Sequence, residues 1–341
     1  MATQYSSNRT ERCFVALQPL GALRTVATAG LQQILHQSVT MSAGNPVERQ
    51  PFKTGTPSSL AGIRGRQSGG WTLTAPIIPS GTAGTAPNMD ALLQSAMGAA
   101  PVTTVSLVTY GFATARKPLT IFRYDESGLA LPSDQYVMGG LPSSMKISFG
   151  GPFLMVTFSG NGVGVGDRDN FAAYVGFDAG LKGGGAAYPV EPASPTTVGT
   201  TLPGWGGILS IDGSVLGECR GGLEVTFELG YEWISDGYSD PYAIAVVSGP
   251  RYVAVSNLTF INDDTTALQN VKQKAFLKTP MTVVIDHGNV VGSKVKLNLG
   301  NVQFPQGAFV DAGSAIDVQF NGATAAATSV GVQDDATIVF G

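Results

Sequence analysis

The stretch that most constrains this chain is Met145 to Gly162, MKISFGGPFLMVTFSGNG. Polar and apolar residues alternate through Lys146-Ile147-Ser148-Phe149 and again from Leu154 to Phe158, with Gly150, Gly151 and Pro152 between them. Alternation with period two buries one face of a strand, and a Gly-Gly-Pro break turns the chain, so two short strands are predicted. Similar text recurs as Val295 to Gly300 followed by Ala315 to Gly322. Lys146 answers Lys296, Gly150 answers Gly300, Val156 answers Val318, Phe158 answers Phe320, and Gly160 answers Gly322. The second copy carries a longer connection, Asn301 to Ser314.

The text before each copy also matches in order. Gly70 to Pro76 alternates as a strand, and a turn-rich lead from Gly81 to Asp90 opens a short helix, Ala91 to Gly98. That helix begins near Asn88 or Asp90 and is stopped by Gly98. Strands at Thr103 to Ala113 and Leu119 to Tyr124 follow. In the second half, Gly207 to Gly217 predicts a hairpin turning at Asp212-Gly213. Gly222 to Leu229 and Arg251 to Phe260 predict strands. Asp263-Asp264 would cap a helix over Thr265 to Leu277, with Leu268, Val271, Ala275 and Phe276 on one face. Met281 to Asp286 is a further strand. Strands, helix, strands in both halves predicts an internal duplication.

The expected organisation has an N-terminal arm (1–37), a first β unit (38–166), a Gly/Pro-rich connector (167–206), a second β unit (207–322) and a tail (323–341). The arm holds a short strand, Phe14 to Leu17, and a helix over Ala22 to His36 that Gly30 weakens; it would dock on its own domain or on a neighbour. The tail ends in a strand, Ala336 to Phe340. The fold class is therefore mainly β, with two similar sandwich or barrel units, each with a short flanking α-helix.

Composition agrees: charged residues are only 13%, with 45 glycines and 20 prolines in 341 residues, a balance that favours short strands and turns over long helices. A net charge of −4 offers no basic surface for phosphates, which argues against a general nucleic-acid binder. Cys13 and Cys219 have no metal-ligand spacing and suit two unrelated buried thiols in a reducing compartment, with one long-range bridge as the alternative. No signal-peptide run and no transmembrane segment is read, so no membrane insertion is expected.

The two histidines are His36 and His287, and no HExxH motif or Cys/His cluster accompanies either. The run Gly160 to Gly166 follows a strand and opens no helix, so it is a turn and not a phosphate loop. Asp263-Asp264 and Asp167-Arg168-Asp169 lack the ligand alternation of a calcium loop. No G-x-S-x-G elbow is present. The expectation is no enzyme, no metal and no cofactor.

A Pro- and Gly-rich loop, then the stretch Ser68 to Thr74, and then Gly84-Thr85-Ala86-Pro87-Asn88-Met89-Asp90-Ala91-Leu92-Leu93-Gln94-Ser95-Ala96-Met97-Gly98 resemble the tail tube (major tail) proteins of long-tailed, non-contractile bacteriophages. Ile211-Asp212-Gly213, Gly222 to Val225 and Gly249 to Val255 are similar to family text as well, and the resemblance covers about residues 40–320. It implies a structural virion protein, made in the bacterial host cytoplasm, that stacks in rings around a bore through which genome DNA passes without specific binding. It implies as partners the chain itself, a tape-measure protein, and tail tip and terminator proteins. With a duplicated unit the ring would be a homotrimer with pseudo-sixfold symmetry; the alternative is a hexamer. Arg49, Arg64 and Arg66, in the polar 38–70 loop, are the candidates for contacts between rings. Two other readings are a capsid decoration or cement protein, and a carbohydrate-binding sandwich or adhesin using Tyr231, Trp233, Tyr238 and Tyr242 beside Asp236 and Asp240.

Overall fold

The computed structural model describes residues 11–19, 23, 26–44, 47–48, 63–64, 68–125, 134–171, 188–193, 199–216, 219–220, 222–234, 243–263, 265–313, 315–329 and 332–341. In chain order the first elements are β1 (Glu11–Leu17), β2 (Gln32–Ile34), β3 (Ser38–Gly44), β4 (Val47–Glu48), β5 (Ile63–Arg64), β6 (Ser68–Pro76) and α1 (Asp90–Met97). Then come β7 (Val102–Thr103), β8 (Val108–Gly111), β9 (Leu119–Asp125), β10 (Gln135–Ser148), β11 (Met155–Gly162), β12 (Gly164–Asp167) and one helical turn, α2 (Arg168–Phe171). The chain continues through β13 (Ile208–Ile211), β14 (Ser214–Leu216), β15 (Cys219–Arg220), β16 (Glu224–Ile234), β17 (Ala245–Ser256), β18 (Leu258–Ile261) and α3 (Thr266–Phe276). It closes with β19 (Met281–His287), β20 (Val295–Val302), β21 (Ala308–Asp311), β22 (Ile316–Phe320), β23 (Ala323–Ala325) and β24 (Ala336–Phe340). The protein is mainly β, and its described strand pairs are antiparallel.

The strand alternation is used in full. Across the largest sheet, Val39, Leu73, Phe158, Met145, Phe227, Val253 and Ala325 stand opposite one another strand by strand, and each is buried. A second sheet, ordered β14-β13-β19-β20-β24-β8-β7, carries its own buried row: Leu216, Leu209, Ile285, Leu297, Ile338 and Tyr110. Both rows, with Leu258, Phe260, Val318 and Phe320 of a four-stranded sheet, belong to one core, which makes a sandwich-like packing of sheet faces. A one-residue slip in any of these strands would turn its row to solvent, so burial fixes the register.

The hairpin read from Met145 to Gly162 is present as β10 and β11, with Ile147 opposite Val156 and Met145 opposite Phe158. β10 is longer than the text suggested and pivots between pairings. Its first residues pair β9 and β12, and its last pair β11 and β16. The change falls at Gly139-Gly140-Leu141-Pro142, where the register shifts. Gly139 has φ +60, and a Cβ there would come within 2.5 Å of the Leu23 carbonyl oxygen, so this corner requires glycine. Proline is tolerated because the ladder is already interrupted.

Two expectations fail. The helix over Ala22 to His36 is absent among its described residues: 26–31 carry neither helix nor strand, Gly30 sits at φ +71, and Gln32–Ile34 form β2 on β1. The apolar spacing there serves burial of Val26 and Ile34 in two different cores, so tertiary packing overrides local periodicity. The second copy of the opening pair is not a hairpin. Val295 to Gly300 lies in β20, between β19 and β24, whereas Ile316 to Phe320 lies in β22, between β18 and β21. The two units also share sheets, since β16 pairs β10 and β24 pairs β8. The 1–37 arm contributes β1 between β2 and β9, with Cys13, Phe14 and Val15 buried, and the 323–341 tail contributes β23 and β24.

Helices α1 and α3 fall where periodicity put them. α1 ends at Gly98 in the left-handed conformation. α3 is capped by Thr265 Oγ1, which accepts from the Leu268 N–H; Asp263 instead orders that threonine, and Phe276 is exposed, not buried. The strand expected over 251–260 breaks at Asn257 (φ 58) into β17 and β18, and that over 103–113 into β7 and β8.

The Asp212-Gly213 hairpin turn has φ 49 and 76 at its two centres, as a two-residue primed turn requires. Burial pushes the Asp212 carboxyl up, but hydrogen bonds from Lys274 Nζ and from the Thr282 N–H and hydroxyl outweigh it and hold the carboxyl below its usual range. A depressed folded-state value makes the stabilisation complete above the unfolded carboxylate value, about 3.9, and lost as pH falls through the folded one. Asp212→Asn is therefore expected to destabilise the protein at neutral pH and to flatten the acid side of a stability–pH profile. Equal acid slopes for the two proteins would refute this.

Candidate assembly surface

The edges of the seven-stranded sheet are short and carry no charge. On one side β14 is Ser214-Val215-Leu216, with Val215 63% exposed; on the other β7 is Val102-Thr103, with Val102 68% exposed. The turn after β7 adds Val105 and Leu107, both exposed. Edge strands of proteins that remain single are usually blunted by shortness, lysine, proline or a bulge. These two are short, but neither carries a lysine, a proline or a bulge.

Two further apolar features project. β21 is exposed along its whole length and forms the edge of the four-stranded sheet, presenting Phe309 and Val310 beside Ile316. β16 and β17 run on as a two-stranded arm past the bulge at Leu229 to Tyr231, where Ile234, Ile244 and Val247 are exposed. A two-stranded ribbon has little stability of its own, and this one is anchored at its base. Tyr231 Oη donates to the Leu141 carbonyl and accepts from the Asn161 N–H, and the Tyr231 and Trp233 rings meet edge-on at 5.7 Å.

Arg116, only 6% exposed, crosses from the segment before β9 to this base. Its Nε donates to Ser248 Oγ and its Nη2 to the Gly230 carbonyl. Burial, and then the nearby Arg251, pull its guanidinium below its ordinary range. Arg251 lies over the Phe112 ring at 4.0 Å and pairs with both Asp335 carboxylate oxygens. Loop, hairpin and the approach to β24 are thus pinned at one point.

Of the residues singled out in sequence, Arg49 and Arg66 lie outside the described residues, as do Tyr238, Tyr242, Asp236 and Asp240. Arg64 stands in β5, whose backbone pairs β4. Tyr231 and Trp233 are half-buried, and the Tyr231 hydroxyl is already engaged, so they form a hairpin base instead of an open platform. His36 sits 3.4 Å from Glu11, which also pairs with Arg123. Both cysteines are free; Cys13 is wholly buried, and burial raises its thiol far above the usual range. No group of three or more His, Cys, Asp or Glu able to hold a metal occurs among the described residues. The uncharged edges were visible in Val102-Thr103-Thr104-Val105 and Ser214-Val215-Leu216, but alternation alone does not say which strands end a sheet.

Compared with known proteins, the chain matches no family model and no curated sequence.

Proposed function

We propose that this chain is a structural protein that polymerises into the hollow tail tube of a long-tailed, non-contractile bacteriophage, with genome DNA passing through the bore. The observation that carries this reading is the seven-stranded sheet left open at both ends, with uncharged, apolar β14 and β7 edges. Two different edges on one molecule favour head-to-tail contacts, which close into a ring when the rotation permits. The phrase from Gly84 to Gly98 supplies the resemblance that points to a tail tube among ring-forming assemblies. Low charge and a net −4 suit a bore that repels phosphates instead of holding them.

In this reading the ring is a trimer with pseudo-sixfold symmetry or a hexamer, and partners are the tape-measure, tail tip and terminator proteins. The β16–β17 arm and the β21 edge reach neighbouring copies. Negative-stain electron microscopy of the purified protein over a range of concentration and salt tests the reading. Hollow tubes or stacked rings are expected, and their rotational symmetry separates trimer from hexamer. Closed particles that never stack would favour a capsid decoration protein; a persistent monomer at high concentration, alone and with tail partners, would end the assembly reading altogether.

A further inference from the structure

Followed along its strands, the seven-stranded sheet carries unlike apolar features at its two ends. At one end, where β19 finishes and β20 begins, lies the turn 104–107 that joins β7 to β8. Register places it there: Thr103 is opposite Val108, Val108 opposite Phe340, and Phe340 opposite Val295. At the other end, where α3 leads into β19 and β20 finishes, lies a half-open cleft of about 280 Å³. The eight residues of β20 set the two ends about 25 Å apart along the strands.

The turn is a fixed knob. Val105 is 97% exposed, and Leu107 is exposed beside it. The Thr104 N–H donates to the Leu107 carbonyl at 2.8 Å, and the Leu107 N–H donates to Thr104 Oγ1 at 3.0 Å. Gly84 (φ +67) backs the turn so closely that a Cβ there would come within 2.6 Å of the Thr104 carbonyl oxygen. A preformed tip loses little freedom on docking. The cleft has Phe304 buried in its lining and Phe276, 68% exposed, beside it; Lys278, Gln303 and Gln306 line it too and are exposed. Residues 102–107 carry no charge, so such a tip can cover Phe276 while those polar ends stay in water.

One occupant fills both features at once, and that is another copy of this chain. A foreign partner would cover one and leave the other bare. Val105, Leu107, Phe276 and the exposed Leu277 are too few side chains for the roughly 1,200 Å² that a stable pair buries. A single contact is therefore weak and gains strength only by repetition. Unlike patches at opposite ends of one molecule make an open, repeating line instead of a closed pair. We propose that the 104–107 turn of one copy seats Val105 in the cleft beside Phe276 of the next, and that this contact stacks ring on ring. It rests on the tail-tube reading for the ring that repeats it, and it runs along the strands, across the direction of the β14 and β7 edges.

The test uses the full chain. Val105→Asp, at an exposed position, is expected to leave the melting temperature and single rings unchanged. Stacking should then need about tenfold more protein or beyond, the loss of one buried valine per contact, whereas Val105→Ile should stack as the parent does. A second variant carries Val105→Cys and Gln306→Cys with Cys219→Ser, which leaves only the wholly buried Cys13 as a native thiol. Mild oxidation is expected to give a ladder of crosslinked oligomers on a denaturing gel, and neither single cysteine variant should give one. A ladder without tubes would uphold the contact and end the tube reading. Tubes without a ladder, or Val105→Asp stacking at the parent's concentration, would overturn the contact and leave the tube reading standing. Absence of both tubes and ladder would overturn both.

Discussion

Replacing Asp335 with alanine is expected to cost about 3–5 kcal/mol of folding stability, the range for removing one partner of a buried pair. Asp335 and Arg251 have side chains only 8% and 17% exposed, and they meet through both carboxylate oxygens at 3.0 and 3.4 Å. Without the carboxylate, Arg251 keeps only the Gln333 amide oxygen and the Phe112 face. It then shares its surroundings with Arg116, whose own hydrogen bonds go to a serine hydroxyl and a carbonyl. Two buried guanidiniums would face each other with no anion between them. Adding Arg251→Met to Asp335→Ala is expected to recover most of the loss, because an apolar side chain of similar length has no charge to desolvate. Denaturant unfolding of both variants at neutral pH checks this. A single-variant loss under about 1 kcal/mol, the ceiling for an exposed pair, would mean that solvent screens the pair.

A double variant, Val102→Lys and Val215→Lys, is expected to abolish tubes or rings while leaving the folded monomer intact. Both side chains are mostly exposed and belong to edge strands, so neither substitution empties the core. An edge lysine resists pairing with another strand because the ammonium would have to be desolvated. Sedimentation and microscopy should show monomer, and the thermal midpoint should fall by no more than a few degrees. Unchanged tubes would place ring contacts elsewhere, with the β21 edge and the β16–β17 arm next in line.

The fold was legible where the physics is local. The β10–β11 hairpin, the Asp212-Gly213 turn, α1 and α3 each carry their own signal: alternation, positive-φ residues, a Gly stop, and apolar spacing, although the cap of α3 is Thr265 where the sequence suggested Asp263-Asp264. What alternation does not encode is partnership. Val318 and Phe320 alternate as Val156 and Phe158 do, yet their neighbours are β18 and β21, because a strand's face is written in its own residues and its place in the sheet is written in others. The same reason hid the edges. Ala22 to His36 misled in the opposite direction: apolar residues spaced for a helix were divided between two cores. At the candidate surface, sequence named arginines in the 38–70 loop and aromatics around 231–242. The described part of those choices is a β5 backbone position and a hairpin base, while Val102 and Val215 drew no notice as ordinary valines.

The placement of β24 sets an order of events during synthesis. β7 and β8 are made early, but β8 joins the sheet only through β24, whose residues 336–340 emerge more than two hundred positions later. Until then the β7 edge has no sheet behind it. A chain truncated before β24 would therefore present β14 without a sheet-bound β7, and under the tail-tube proposal it would lack one of the two edges proposed to join subunits.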